Sequence, residues 1–178
     1  MKTKKMNFKQ KLSSIKAFVF DVDGVLSSSF VPLYPNGEPM RTANLKDGYA
    51  IQFAIKKGFI IGIISGAKTE AVRVRFSSLG VKDIYLAACN KMVCLKDFLE
   101  NNKLNAGDVL YMGDDIPDYQ VMQAVGVPVC PADAVPEIKE ISCYISHVKG
   151  GEGCARDVIE QVMRAQDKWM NCPEAFCW

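Results

Sequence analysis

From residue 17 onward, short apolar runs alternate with longer stretches whose apolar residues recur at helical spacing. The runs at 17–20, 60–64, 84–86, 109–112, 127–129 and 143–145 are bounded by Asp, Gly, Ser or Pro, and each predicts a buried strand. Between them, residues 48–57, 68–79, 92–101, 117–125 and 152–168 predict helices; Val72, Phe76 and Leu79, for example, stand at i, i+4 and i+7. Strand and helix in strict alternation predict an α/β domain of Rossmann-like, doubly wound type, with a mostly parallel sheet and helices on both faces. In such sheets ligands lie beyond the carboxyl ends of the strands, so the residues that follow each apolar run are the ones to inspect.

Residues 27–45 break the alternation. Three prolines and an Asn-Gly flanked by β-formers predict a β-hairpin insertion turning at 35–37, with an irregular surface loop as the alternative. The domain then spans 17–168. Before it, residues 1–16 read as a basic, partly disordered N-terminus rather than a nucleic-acid arm. After it, 169–178 form a tail without helical periodicity, whose two Trp and one Phe are expected to dock on something.

Composition narrows the class. The 178 residues are 49% hydrophobic and 24% charged, as in one soluble globular domain. Net charge is +2, yet six lysines precede the first acidic residue, which leaves 16 basic against 20 acidic residues in the body. No apolar run approaches the ~18 residues of a membrane span, and no signal-peptide core follows the basic start, so the expected location is cytoplasmic. Seven cysteines without a C-x-x-C pair, beside the single His147, argue against structural zinc and against a secreted disulfide framework. They also exclude a two-histidine metal site, and no cysteine is followed by arginine at the spacing a cysteine phosphatase requires. His147 is expected to be structural or at the surface.

The strand ends carry the chemistry. The first run ends in FDVDGV, which sets Asp21 and Asp23 two residues apart and able to face one side of an extended chain. The second ends at Ser65-Gly66, the third is followed by Lys91, and the fourth by Asp114, Asp115 and Asp118. Carboxylates gathered at one edge repel unless a cation or a shared proton relieves them. Oxygen-only ligands suit Mg²⁺. A carboxylate can attack phosphorus, a neighbouring carboxyl can shuttle the proton, and a hydroxyl, a lysine and Mg²⁺ can hold phosphate oxygens.

These four motifs in this order, each after a predicted strand, resemble the haloacid dehalogenase superfamily of phosphatases. The resemblance implies Asp21 as nucleophile, Asp23 as general acid and base, and Mg²⁺ held by the Asp21 carboxylate, the Asp23 carbonyl and the Asp114 carboxylate. It implies phosphate binding by Ser65, Gly66 and Lys91, with Asp118 orienting Lys91 and Asp115 behind the metal ligands. Asp21 to Ser65 is 44 positions and Ser65 to Lys91 is 26, too few for the family's cap domains. The segments LKDGYAIQ (45–52), SGAKTEAVRVRFSSLG (65–80), GDDIPDYQVM (113–122), PADAV (131–135) and GGEGCARDVIE (150–160) are similar to the capless sugar-acid phosphatase branch, closest to the 3-deoxy-D-manno-octulosonate 8-phosphate phosphatases.

That branch implies hydrolysis of an eight-carbon 3-deoxy sugar-acid phosphate in lipopolysaccharide sugar biosynthesis, and a homotetramer in which one subunit's hairpin covers its neighbour's site. No nucleic acid or membrane partner is implied. The chain departs from the branch at Lys46, where Arg is usual, which puts anion contacts there in doubt, and at Asn90, where Asp is usual. A sugar acid also needs a cation for its carboxylate, for which Lys68 and Arg75 are candidates beside Lys46. Ala67 favours the eight-carbon substrate over a nine-carbon sugar acid. Arg156 has a bracing role at the tail or subunit contact, or a plain helix-start role. The alternatives are a nine-carbon sugar-acid phosphatase and a non-catalytic oligomerisation module of the same fold.

Overall fold

The computed structural model describes residues 8–177. Six strands, β1 (Ala17–Phe20), β2 (Ile60–Ile64), β3 (Asp83–Tyr85), β4 (Val109–Met112), β5 (Val127–Cys130) and β6 (Tyr144–Ile145), form one sheet in the order β3-β2-β1-β4-β5-β6. Every pairing is parallel, and Phe20 lies between Ile63 of β2 and Met112 of β4. The chain therefore winds outward in one direction through β3, returns to the other side of β1 at β4, and winds outward again. The reversal puts a crevice between the carboxyl ends of β1 and β4, where such sheets hold ligands.

Side-chain alternation along the strands builds two cores. Phe18, Phe20, Ile61, Ile63, Leu110 and Met112 face α2 (Leu45–Lys56), α3 (Glu70–Ser78) and α7 (Cys154–Ala165). Ala17, Val19, Ile64, Val109 and Tyr111 face α4 (Lys91–Asn102), α5 (Tyr119–Ala124) and α6 (Pro136–Ile141). Local chemistry starts several of these helices. Asn44 accepts from the amides of Lys46 and Asp47 at the head of α2, and Asn90 accepts from Met92 N–H at 3.0 Å at the head of α4. The usual Asp is thus replaced at 90 by another good N-cap. At the head of α7, Gly153 has no side chain to offer, and Asp47 reaches across from α2 to accept from Arg156 N–H at 2.7 Å.

Three expectations change, and the docking expected of the tail acquires its place. The α6 helix is absent from the sequence reading because six residues are too few for periodicity to register; Pro136 at its first turn is the cue that was available. Residues 1–16 were expected to be partly disordered, and residues 1–7 lie outside the described residues. Residues 8–16 are built into the core: α1 (Phe8–Lys11) stacks Phe8 on Tyr144 at 4.4 Å, Leu12 and Ile15 are buried, and Gln166 ties down the Leu12 and Ile15 carbonyls. The insertion turns at 35–37 as expected, with Tyr34 N–H on the Glu38 carbonyl, but its sides meet in one antiparallel bridge, Leu33 with Pro39, rather than in paired strands. Pro32, Pro35 and Pro39 lack the N–H donors a ladder needs. The tail docks on its own chain: Trp169 lies edge-on to Tyr49 and Phe53 of α2, Arg156 covers both Trp169 and Tyr49, and the Tyr49 hydroxyl donates to the Ala175 carbonyl.

Candidate active site

The residues at the carboxyl ends of β1, β2 and β4 converge with the start of α4. Asp21 follows β1, is 8% exposed, and is fixed through its N–H on the Met112 carbonyl and its Oδ1 under the Val22 amide. Lys91, the first residue of α4, is buried with its Nζ 2.8 Å from Asp21 Oδ2 and 2.7 Å from Asp118 Oδ1. Asp118 is wholly buried and also accepts from the Tyr111 hydroxyl at 2.6 Å and, through Oδ2, from Asp114 N–H at 3.3 Å. Its oxygens are committed to holding Lys91 and the Asp114 loop. Ser65 is buried at the end of β2, with its Oγ accepting from Ala67 N–H, and Gly66 beside it is exposed on the rim.

Asp21, Asp114 and Asp118 bring carboxylate oxygens within 4.8 Å of one another. Three acidic groups face one lysine, so the cluster is short of two positive charges when all are ionised. The electrostatics reflect this. Burial, then the Asp118 charge, pushes Asp21 up to about 8 despite Lys91 beside it. Burial, Asp118 and Asp115 push Asp114 up to about 7. Burial alone would lower Lys91, but Asp21 and Asp118 more than reverse it and raise it above the ordinary lysine value. A divalent cation on oxygen ligands fits this deficit, with the Asp21, Asp114 and Asp118 carboxylates as the oxygens brought together. Gly24 keeps that space open: its φ is +78°, and a Cβ there would stand 1.9 Å from Asp114 Oδ2. Gly150 does the same from behind, since a Cβ on it would strike the Gly24 carbonyl, and Gly151 N–H donates to the Val25 carbonyl. The GGEG stretch therefore backs the loop after β1.

The acid groups make metal binding compete with protonation. Asp21 and Asp114 hold protons in the metal-free folded protein at pH values where they are ionised when unfolded. Their raised values give stability that is complete below about pH 4 and is lost as pH rises through 7 to 8. Mg²⁺ replaces those protons. Its stabilisation of EDTA-treated protein is expected to be larger at pH 8 than at pH 6 by on the order of 2 kcal/mol, a shift of several degrees in Tm. An equal or smaller Mg²⁺ shift at pH 8 in thermal melts contradicts this reading of the cluster.

The remaining candidates divide. Asp23 is half exposed and its carboxylate is clamped by Arg41. Asp115 is exposed, and its Oδ1 caps the Ile116 amide, so it supports the loop rather than joining the carboxylate cluster. Lys68 is exposed in an open cavity of about 640 Å³ that it shares with Arg41 and Gly66. Arg75 lines a smaller cavity of about 110 Å³ beneath the insertion, with its Nη2 buried and without a hydrogen-bond partner. Lys46 is exposed on the first turn of α2 and lines neither cavity. His147 is at the surface, 3.8 Å from Asp157. The sequence reading missed Tyr111, which appears there as one more strand residue, and Arg41, although Arg41 is the one basic residue of the insertion.

A family model described as haloacid dehalogenase-like hydrolase matches residues 60–156. The chain is 36% identical to 3-deoxy-D-manno-octulosonate 8-phosphate phosphatase KdsC of Salmonella typhi over 158 residues, covering 89% of this chain and 84% of that protein. The fold superposes on the crystal structure of 3-deoxy-D-manno-octulosonate 8-phosphate phosphatase from Yersinia pestis with a TM-score of 0.86 at 32% identity, covering 90% of this chain and 86% of that one. It also superposes on the Moraxella catarrhalis enzyme of the same name in complex with magnesium, phosphate and KDO, with a TM-score of 0.85 at 28% identity, covering 89% of this chain and 91% of that one.

Proposed function

The chain belongs to the haloacid dehalogenase-like hydrolases, in the branch of the 3-deoxy-D-manno-octulosonate 8-phosphate phosphatases, and from that premise we propose that it hydrolyses 3-deoxy-D-manno-octulosonate 8-phosphate to the free sugar acid and phosphate. The observation that carries the reading is Asp21, buried at a strand end with Lys91 on one oxygen and a divalent-cation deficit around it. That arrangement suits an attacking carboxylate and suits neither a structural ion pair nor a bare assembly module.

Asp21 Oδ attacks phosphorus and the ester P–O bond breaks, while the Asp23 carboxyl gives its proton to the departing sugar oxygen. Asp23, now a carboxylate, takes a proton from water as that water's oxygen attacks the phosphorus of the aspartyl-phosphate, releasing phosphate and restoring Asp21. Ser65, the Gly66 amide and Lys91 hold the equatorial oxygens, and Asp118 with Tyr111 keeps Lys91 aimed. The Asp21 and Asp114 carboxylates with the Asp23 carbonyl would hold Mg²⁺, which would supply neutralising charge for the phosphoryl oxygens. Lys68, exposed beside Gly66, and Arg75 are the cations assigned to the substrate carboxylate; Lys46, exposed outside both cavities, is the weakest of the three.

Phosphate release from a panel of sugar-acid and neutral sugar phosphates, with and without Mg²⁺, tests the reading. Mg²⁺-dependent turnover highest on the eight-carbon acid is expected. Equal or better efficiency on a nine-carbon acid phosphate overturns the choice of substrate.

Assembly extends the reading. Phe30 is 94% and Leu33 63% exposed on the insertion, apolar surface that suits burial against a second copy. We propose a homotetramer with the insertion of one subunit over its neighbour's site; light scattering that finds a fully active monomer contradicts it. No helix among the described residues is long and apolar enough to cross a membrane.

A further inference from the structure

The insertion serves its own chain's site through one side chain. Arg41 Nε lies 2.8 Å from Asp23 Oδ1, and Arg41 Nη2 lies 2.8 Å from Asp23 Oδ2. This is the parallel two-bond geometry that fixes a carboxylate plane as well as its position. The guanidinium is the more buried partner, at 13% exposure against 47% for Asp23. Its place is set by the stem of the insertion. Ser27 is wholly buried, its Oγ accepts from Thr42 N–H at 2.9 Å, and the two hydroxyls are 3.3 Å apart. The residue before Thr42 is thereby turned back over the loop that follows β1. Arg41 also lines the open cavity that holds Gly66 and Lys68.

We propose that Arg41 is the positioning residue for proton transfer by Asp23. An unclamped aspartate on a half-exposed loop samples several rotamers, each aiming its oxygens differently. The two bonds from Arg41 use one lone pair on each oxygen and leave the others, about four sites in all on a carboxylate, facing the site. The ester oxygen then meets the carboxyl in one orientation as the P–O bond breaks. This rests on the reading of Asp23 as the acid and base, and its test does not depend on which sugar is the natural substrate.

The test compares leaving groups. An alkyl sugar phosphate needs a proton on its departing oxygen, whereas p-nitrophenyl phosphate leaves as a stable phenolate. kcat/KM reports the steps up to phosphorylation of Asp21, so it isolates the proton donated to the leaving group. Arg41→Met is expected to lower kcat/KM roughly 30-fold or more on the alkyl ester, a part of the ~10²–10⁴-fold that general acid catalysis supplies, and less than about threefold on the aryl ester. Arg41→Lys keeps the charge and loses the fork; it is expected to recover part of the alkyl rate, and it carries the test if the Met variant fails to fold. In an Asp23→Asn background, Arg41→Met should cause no further loss on the alkyl ester, as for two groups acting as one. Equal losses on both esters overturn the proposal, because Arg41 would then be a general anion contact. Unchanged rates on both overturn it as well. A wild-type enzyme that turns over simple esters but no sugar-acid phosphate defeats the substrate reading and leaves the leaving-group comparison intact.

Discussion

Replacing Asp21 with asparagine is expected to lower kcat by at least about 10⁴-fold while leaving the fold as stable as before, or more so at pH 8. The amide has nearly the same shape and keeps an oxygen to accept from the Val22 amide. It cannot attack phosphorus as a carboxylate does, so the covalent route closes. The stability half of the expectation comes from the same geometry. Burial and the Asp118 charge make ionisation of Asp21 unfavourable in the metal-free protein, and a neutral side chain removes that cost, while Lys91 retains Asp118 at 2.7 Å. Steady-state kinetics alongside thermal melts separate the two halves. A variant with a tenfold loss or less removes Asp21 from the role of nucleophile. A variant that is inactive because it unfolds contradicts the electrostatic account of the site.

Replacing Lys91 with methionine is expected to do the opposite to stability. Lys91 is the shared cation of Asp21 and Asp118, at 2.8 and 2.7 Å, and is 7% exposed. Methionine fills much of the volume but leaves two buried carboxylates facing each other. Removing one partner from a buried ionic group costs about 3–5 kcal/mol, seen as a lower urea midpoint at unchanged m value. The cost should shrink as pH falls from 8 toward 6, because Asp21, already raised by burial, takes up a proton and removes one of the stranded charges. Activity should fall by about 10²–10³-fold even where the fold survives, the usual price of losing one fixed positive contact to a developing oxyanion. A loss of stability below about 1 kcal/mol, typical of an exposed pair, contradicts the account of a buried network.

The two variants bear on residues that were legible before any coordinates. Asp21, Asp23, Ser65, Lys91 and Asp114 each follow an apolar run, and a parallel sheet must carry such residues to one edge. The strands at 17–20, 60–64 and 109–112 were readable because four or five consecutive apolar residues between turn formers have few other uses. What the sequence hid depends on contacts between distant segments. Arg41 acquires a function only when Ser27 and Thr42 close the insertion around it. Tyr111 is one apolar-run residue until the alternation of β4 turns its hydroxyl toward Asp118. The basic start looked solvated because its lysines dominate the count, while Phe8, Leu12 and Ile15 at spacings of four and three carry it into the core. Gly150 and Gly151 stood out only as part of a segment similar to the branch; their reason is the backbone of residues 24, 27 and 28 pressed against them.

The central claim is that Asp21 takes the phosphoryl group from a sugar-acid phosphate. Rapid acid quench of the Mg²⁺-loaded enzyme mixed with 3-deoxy-D-manno-octulosonate 8-phosphate labelled in its phosphate, followed by peptide mapping, tests it most directly. Transient label on Asp21 that forms before free phosphate appears, and none in Asp21→Asn, is the predicted result. Phosphate released with no labelled enzyme at any time, or label on another residue, contradicts it.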